Sequence, residues 1–118
     1  MIRGVHTMFY SSDAAGLRTF LRDKLGLVAT DIGRGWLIFD LPEADLGCHP
    51  SDESTESAGS GTADISFYCD DINETVAELK AKGVKFKGEI EDHGYGLVTE
   101  FYVPGDFCIQ LYQPAYKK

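Results

Sequence analysis

Two stretches of this chain resemble two later ones in the same order. Phe9-Tyr10-Ser11-Ser12-Asp13 matches Phe67-Tyr68-Cys69-Asp70-Asp71 at an offset of 58 residues, and Trp36-Leu37-Ile38-Phe39-Asp40-Leu41-Pro42 resembles Val98-Thr99-Glu100-Phe101-Tyr102-Val103-Pro104 at an offset of 62. One such match arises by chance. Two in the same order, each with the same elements around it, describe a chain built twice from one plan. A difference in loop length between the copies accounts for the drift in offset.

Hydrophobic periodicity gives that plan its elements. In the first copy Val5, Thr7 and Phe9 alternate with His6, Met8 and Tyr10, which predicts a strand. Asp13 is placed to cap a helix whose buried stripe is Leu17, Phe20, Leu21 and Leu25, and Gly26 suits its end. Three strands follow, at about 27–32, 35–41 and 44–49, with turns at Gly33-Arg34-Gly35 and Pro42-Glu43. In the second copy Ile65, Phe67 and Cys69 alternate with Asp64, Ser66 and Tyr68. Asp71-Ile72-Asn73-Glu74 has the spacing of a capping box, and Ile72, Val76 and Leu79 form the stripe of a helix closed by Gly83. Strands are predicted at about 84–90, 97–103 and 107–113, with turns at His93-Gly94-Tyr95-Gly96 and Pro104-Gly105-Asp106. Residues 51–62, rich in Ser, Glu and Gly and without a large apolar side chain, read as a flexible connector. The expected organisation is α+β: one domain over 1–118, with a first βαβββ unit over 1–50 and a second over 63–118.

Composition narrows the class of partner. The chain has 118 residues, 43% hydrophobic and 25% charged, enough for one modest core. Its formal net charge of −8 repels phosphate backbones and anionic lipid, so neither nucleic acid nor a membrane is an expected partner. Cys48, Cys69 and Cys108 are odd in number and form no CxxC, which suits reduced core or pocket residues. Met1-Ile2-Arg3-Gly4 runs into a strand pattern rather than the charged start and apolar stretch of a signal peptide, so a cytoplasmic protein is expected.

Each unit has one helix, and one helix covers one face of a sheet. Phe9, Leu37, Phe39, Leu41, Ile65, Phe67, Phe101, Ile109 and Leu111 fall on the helix-facing register and are all apolar. The opposite register carries His6, Met8, Tyr10, Trp36, Ile38, Asp64, Ser66, Tyr68, Glu100, Tyr102, Cys108, Gln110 and Tyr112. Rings mixed with hydrogen-bonding groups suit a concave small-molecule site with apolar walls and polar anchors. The other reading of the same face is a protein–protein surface, where Tyr and Trp are also enriched.

The chain resembles the vicinal oxygen chelate superfamily, which includes glyoxalase I, bleomycin- and fosfomycin-resistance proteins and extradiol dioxygenases. The residues that carry the resemblance are Gly4-Val5-His6 ahead of Asp13, Phe20 through Lys24-Leu25-Gly26-Leu27, the Phe67 to Asp71 strand-to-helix step, Ala81-Lys82-Gly83-Val84, and the run from Pro104 to Pro114. The resemblance implies two tandem βαβββ units whose sheets curl around a shared cleft, and pairing of chains into a homodimer. Many members hold a divalent metal in the cleft as a Lewis acid. Carried over position by position, the ligands are His6, Asp64 where His is usual, and Gln110 where Glu is usual. The fourth position falls on Cys48 or Leu46, with His49 reaching it only through a bulge.

Two functions from different classes stand side by side. One is a metal-dependent lyase, isomerase or dioxygenase using His6, Asp64 and Gln110. The other is a metal-free binding protein, in which Tyr10, Trp36, Tyr68 and Tyr112 stack on a flat aromatic or antibiotic-like ligand. Met8, Ser66, Glu100, Tyr102 and Cys108 complete the expected pocket. His93 is either a proton carrier over the cleft or a solvated turn residue. Cys108 has no cation nearby to make it a nucleophile. Lys80, Lys82, Lys85 and Lys87 read as a solvated helix end and strand face.

Overall fold

The computed structural model describes residues 1 and 5–117. Gly4 of the Gly4-Val5-His6 motif and its neighbours Ile2 and Arg3 lie outside the described residues, as does Lys118. The chain forms a mixed α+β structure with two sheets. In order, the elements are α1 (Ala14–Asp23), β1 (Val28–Asp31), β2 (Leu37–Asp40), a 3-10 turn (Glu56–Ala58), β3 (Ser66–Tyr68), α2 (Ile72–Ala81), β4 (Glu91–Asp92), β5 (Gly96–Val103) and β6 (Phe107–Pro114).

The two helices begin as their caps dictate. The Asp13 carboxylate accepts from the Gly16 amide at 3.0 Å, and the Asp71 carboxylate accepts from the Glu74 amide at 3.1 Å, each satisfying a first-turn N–H with no partner inside the helix. Shifting Ala14–Asp23 by the repeat offset of 58 gives Ile72–Ala81, so the helices correspond residue for residue. After α1 the chain turns at Gly26 (φ 69°) and after α2 at Gly83 (φ 87°), a left-handed backbone that costs glycine least.

The larger sheet has the order β3-β6-β5-β4. Only β3 and β6 run parallel. The hairpin β5–β6 is its centre, paired from Gly96↔Pro114 to Val103↔Phe107. The smaller sheet is the antiparallel hairpin β1–β2. Both helices share one core with the larger sheet: Leu17 and Leu21 of α1 and Ile72, Val76 and Leu79 of α2 meet Phe101, Val103, Ile109 and Leu111. Phe101 is 1% exposed, stacked on Phe20 of α1 and edge-on to Phe86. The half of the chain before residue 51 is tied to the half after it at three further points. The Phe9 ring lies against Phe67 and Phe107. Ser11 Oγ donates to the Pro104 carbonyl (2.9 Å), and Lys24 Nζ donates to the Lys82 carbonyl (2.7 Å).

Three predicted strands differ from the structure. Residues 5–10 and 44–49 form no ladder, and the 84–90 stretch carries one bridge, Phe86↔Phe101, before pairing resumes at β4. A strand needs a partner edge as well as alternation. Residues 5–10 turn Phe9 inward as alternation requires, but among the described residues no neighbour supplies their backbone bonds. Residues 51–62 fold on themselves: the Glu53 carboxylate accepts from the Ser60 amide, and the Asp52 amide donates to the Ala58 carbonyl. Among the described residues no helix is long and apolar enough to cross a membrane.

Candidate functional site

The register of the larger sheet sets three predicted residues side by side. Ser66 of β3, Gln110 of β6 and Glu100 of β5 are direct neighbours across the strands, on the face away from the helices. Gln110 Nε2 donates to Ser66 Oγ at 3.0 Å. That bond orients the amide and leaves Oε1 to accept from a ligand. The next row on this face is Tyr68, Tyr112, Val98 and Glu91, and the row on the other side is Cys108 and Tyr102. Seven of the predicted pocket residues therefore share one sheet face: Ser66, Tyr68, Glu100, Tyr102, Cys108, Gln110 and Tyr112.

A cavity of about 360 Å³ opens beside this row, at the β4 edge of the sheet. Glu100 and Gln110 line it. So do Val98, Thr99, Lys87, Gly88, Glu89, Glu91 and His93. Of these, His93 and Lys87 are the two weighed from sequence, Lys87 as part of a solvated face. The alternation of Val84, Phe86 and Ile90 with Lys85, Lys87, Glu89 and Glu91 was the available signal: it turns Lys87, Glu89 and Glu91 to the same side as Glu100.

Charge in the cavity is mostly negative. Lys87 Nζ lies 3.6 Å from Glu100 Oε2, a loose and half-exposed pair. His93 Nε2 is 3.0 Å from Glu91 Oε2. A carboxylate only accepts, so His93 donates through Nε2, and in the neutral ring Nδ1 accepts from Tyr95 Oη at 3.4 Å. Tyr112 Oη donates to Tyr116 Oη at 2.7 Å, and the Tyr95 ring packs 5.8 Å from that of Tyr112. Loss of water, followed by the Tyr116 hydrogen bond, raises the Tyr112 phenol far above its ordinary range, so it stays neutral. Burial, and then the charge of Glu100, raises the Cys108 thiol, which makes it a poor nucleophile.

The remaining predicted residues lie elsewhere. His6, Met8 and Tyr10 are exposed on the segment before α1, Tyr10 at 92%. Trp36 stands at the turn into β2, with the Arg18 guanidinium of α1 4.6 Å from its ring centre. Asp64 is exposed just ahead of β3. None of these five lines the cavity. The same holds for Cys48, Leu46 and His49, all exposed. Among the described residues no three His, Cys, Asp or Glu side chains are gathered as metal ligands. Of the carboxylates around Gln110, Glu100 lies against Lys87 and Glu91 against His93.

Solved structures share this fold. TnmS3, an antibiotic-binding protein from Streptomyces sp. CB03234, matches with a TM-score of 0.63 at 20% identity over 98% of this chain and 100% of that one. Lactoylglutathione lyase from Agrobacterium tumefaciens matches with a TM-score of 0.63 at 17% identity over 91% and 90%. A superfamily member from Sphaerobacter thermophilus DSM 20745 matches with a TM-score of 0.61 at 24% identity over 95% and 98%. No curated protein matches the chain. The family model for the Glyoxalase/Bleomycin resistance protein/Dioxygenase superfamily matches residues 3–110, nearly the whole chain, and the chain belongs to that superfamily.

Proposed function

We propose that this protein binds a small, flat aromatic ligand in the cavity beside Gln110 and Glu100, without a resident metal. The observation that carries the reading is the Ser66–Gln110–Glu100 row, which turns an oriented amide oxygen and a carboxylate toward a 360 Å³ hollow flanked by tyrosines. Glu89, Glu91 and Glu100 against Lys87 favour a cationic ligand over an anionic one. Antibiotic binding by TnmS3, which shares the fold, is of the same kind. The metal-dependent alternative requires His6 and Asp64 to reach Gln110, and nothing in the cavity lining favours it.

Organisation into two tandem units is part of the reading. It is supported by the residue-for-residue correspondence of the helices at the repeat offset. Pairing of two chains is part of it too: Val5, Met8, Val28, Ile32, Leu41 and Leu46 are exposed in the half before residue 51, where a second copy would cover them. Three free cysteines suit a cytoplasmic location.

The test is a two-dimensional NMR titration with proflavine, a flat aromatic cation, against fluorescein, a flat aromatic anion. Proflavine should shift the Gln110 side-chain amide and the Glu100 and Val98 backbone amides, and fluorescein should do so at least about tenfold more weakly. Shifts confined to other parts of the surface, or none, would refute the site. Stoichiometric divalent metal in the purified protein would refute the metal-free part.

A further inference from the structure

The β4 edge of the larger sheet changes register in mid-strand. Phe86 bridges Phe101, yet Glu91 pairs with Val98 and Asp92 with Leu97. Residues 87–90 therefore stand opposite only Thr99 and Glu100, and two residues of the edge are surplus. The Lys87 amide still donates to the Glu100 carbonyl at 2.9 Å, but among the described residues the amides of 88–90 reach no backbone carbonyl. The surplus is a bulge at Gly88–Ile90.

This bulge has empty space on both sides. Gly88 and Glu89 line the ligand cavity on the open face of the sheet. They also line a second hollow of about 300 Å³ on the helix side, bounded by Val76, Ala77 and Lys80 of α2. Thr99 borders both hollows, and its hydroxyl donates to the Gly88 carbonyl over 3.4 Å, a long and weak bond. A wall with room behind it, free backbone groups and a weak tether opens locally at little cost.

We propose that the bulge Gly88–Ile90 is a movable wall of the ligand cavity, swinging toward the helix-side hollow to admit a ligand and back to close on it. The proposal rests on the reading of that cavity as the ligand site. The number of surplus residues makes such motion compatible with the core. An insertion of two preserves side-chain alternation, so Phe86 and Ile90 keep facing the core while Lys87, Glu89 and Glu91 keep facing the ligand. A bulge of one would turn one set the wrong way.

Removal of Gly88 and Glu89 together tests the wall. The shortened edge joins the two registers into one unbroken ladder, with Lys87 opposite Glu100 and Ile90 opposite Thr99. The deletion variant should fold with unchanged or greater resistance to urea and bind proflavine at least about tenfold more weakly than Glu89→Gln, which keeps the bulge and loses the same charge. Equal binding by the deletion variant overturns the proposal. Hydrogen exchange on the intact protein decides it independently, including the case of a deletion variant that does not fold. The amides of 88–90 should exchange at least about tenfold faster than those of Lys87 and Tyr102 and slow when proflavine is bound. Exchange as slow as at Lys87 in the free protein, or no slowing with proflavine bound at the cavity, overturns the wall. Absence of proflavine from the cavity overturns the ligand site instead, and exchange in the free protein still decides the wall.

Discussion

Replacement of Gly96 by Ala should destabilise the protein and disturb the site through one added carbon. Gly96 is buried at the start of β5, opposite Pro114. A Cβ there would sit 2.5 Å from the Gln113 carbonyl oxygen and 2.6 Å from the Tyr112 ring. The carbonyl belongs to the central hairpin, so relieving its contact strains the ladder, and the ring must move as well. Overpacking of this kind costs about 1–3 kcal/mol. Displacing the ring also breaks the Tyr112–Tyr116 hydrogen bond, exposed and worth about 0.5–1 kcal/mol. The sum is about 1.5–4 kcal/mol. Urea denaturation should show it as a lower midpoint at unchanged slope, because the surface exposed on unfolding is the same. Gly47→Ala is the control: a Cβ there meets nothing within 4 Å, and the change should stay within about 0.5 kcal/mol of wild type. If Gly96→Ala behaves like Gly47→Ala, the packing of Tyr112 over Gly96 is not as described.

Gly105→Ala should cost about 1–3 kcal/mol, because φ is +103° and a Cβ would collide with Ser11 Oγ. Pairing it with Ser11→Ala should recover the collision but not the backbone strain, a non-additivity readable by the same urea curves. Stability should also fall on the alkaline side. Burial raises the Cys69 and Cys108 thiols in the folded chain, so the unfolded chain loses those protons first. Their contribution is fully present below the ordinary thiol range and lost as pH rises through about 8.5 and beyond. The slope of stability against pH between about 8 and 10 should flatten in the Cys69→Ala, Cys108→Ala double variant, and an unchanged slope would refute the assignment.

What the sequence reveals follows from what each signal measures. Caps are local, so Asp13 and Asp71 place both helices, and the helix ends at Lys24 and Lys82 repeat the 58-residue offset. Alternation measures which face a side chain takes. On β5 and β6 the neighbouring strand is a hairpin turn away, and both the strands and the shared face of Glu100 and Gln110 follow from the sequence. On residues 5–10 alternation correctly turns Phe9 inward but says nothing about where a pairing edge lies, so His6, Met8 and Tyr10 do not reach the cavity. Trp36 is lost for a different reason. Arg34 and Gly35 before it take φ of 54° and 81°, and alternation cannot be counted through such a turn.

The bulge at Gly88–Ile90 shows the limit of the same signal. Alternation has a period of two, so it registers an insertion of one residue as a reversal of faces and an insertion of two as nothing at all. Val84, Phe86 and Ile90 on one side, with Lys85, Lys87, Glu89 and Glu91 on the other, read as an uninterrupted strand. Only the pairing partners reveal the slip, because Phe86 and Glu91 report different registers against β5. The feature that opens the cavity is thus one that preserves the polarity of every side chain around it. A site of this kind can arise or vanish by gain or loss of two residues at a sheet edge, with the core composition untouched. Glu100 and Gln110, anchored on the central hairpin, were legible for the same reason that Gly88 and Glu89 were not: hairpin register is fixed by the turn at Pro104–Asp106, whereas edge register is fixed only by long-range pairing.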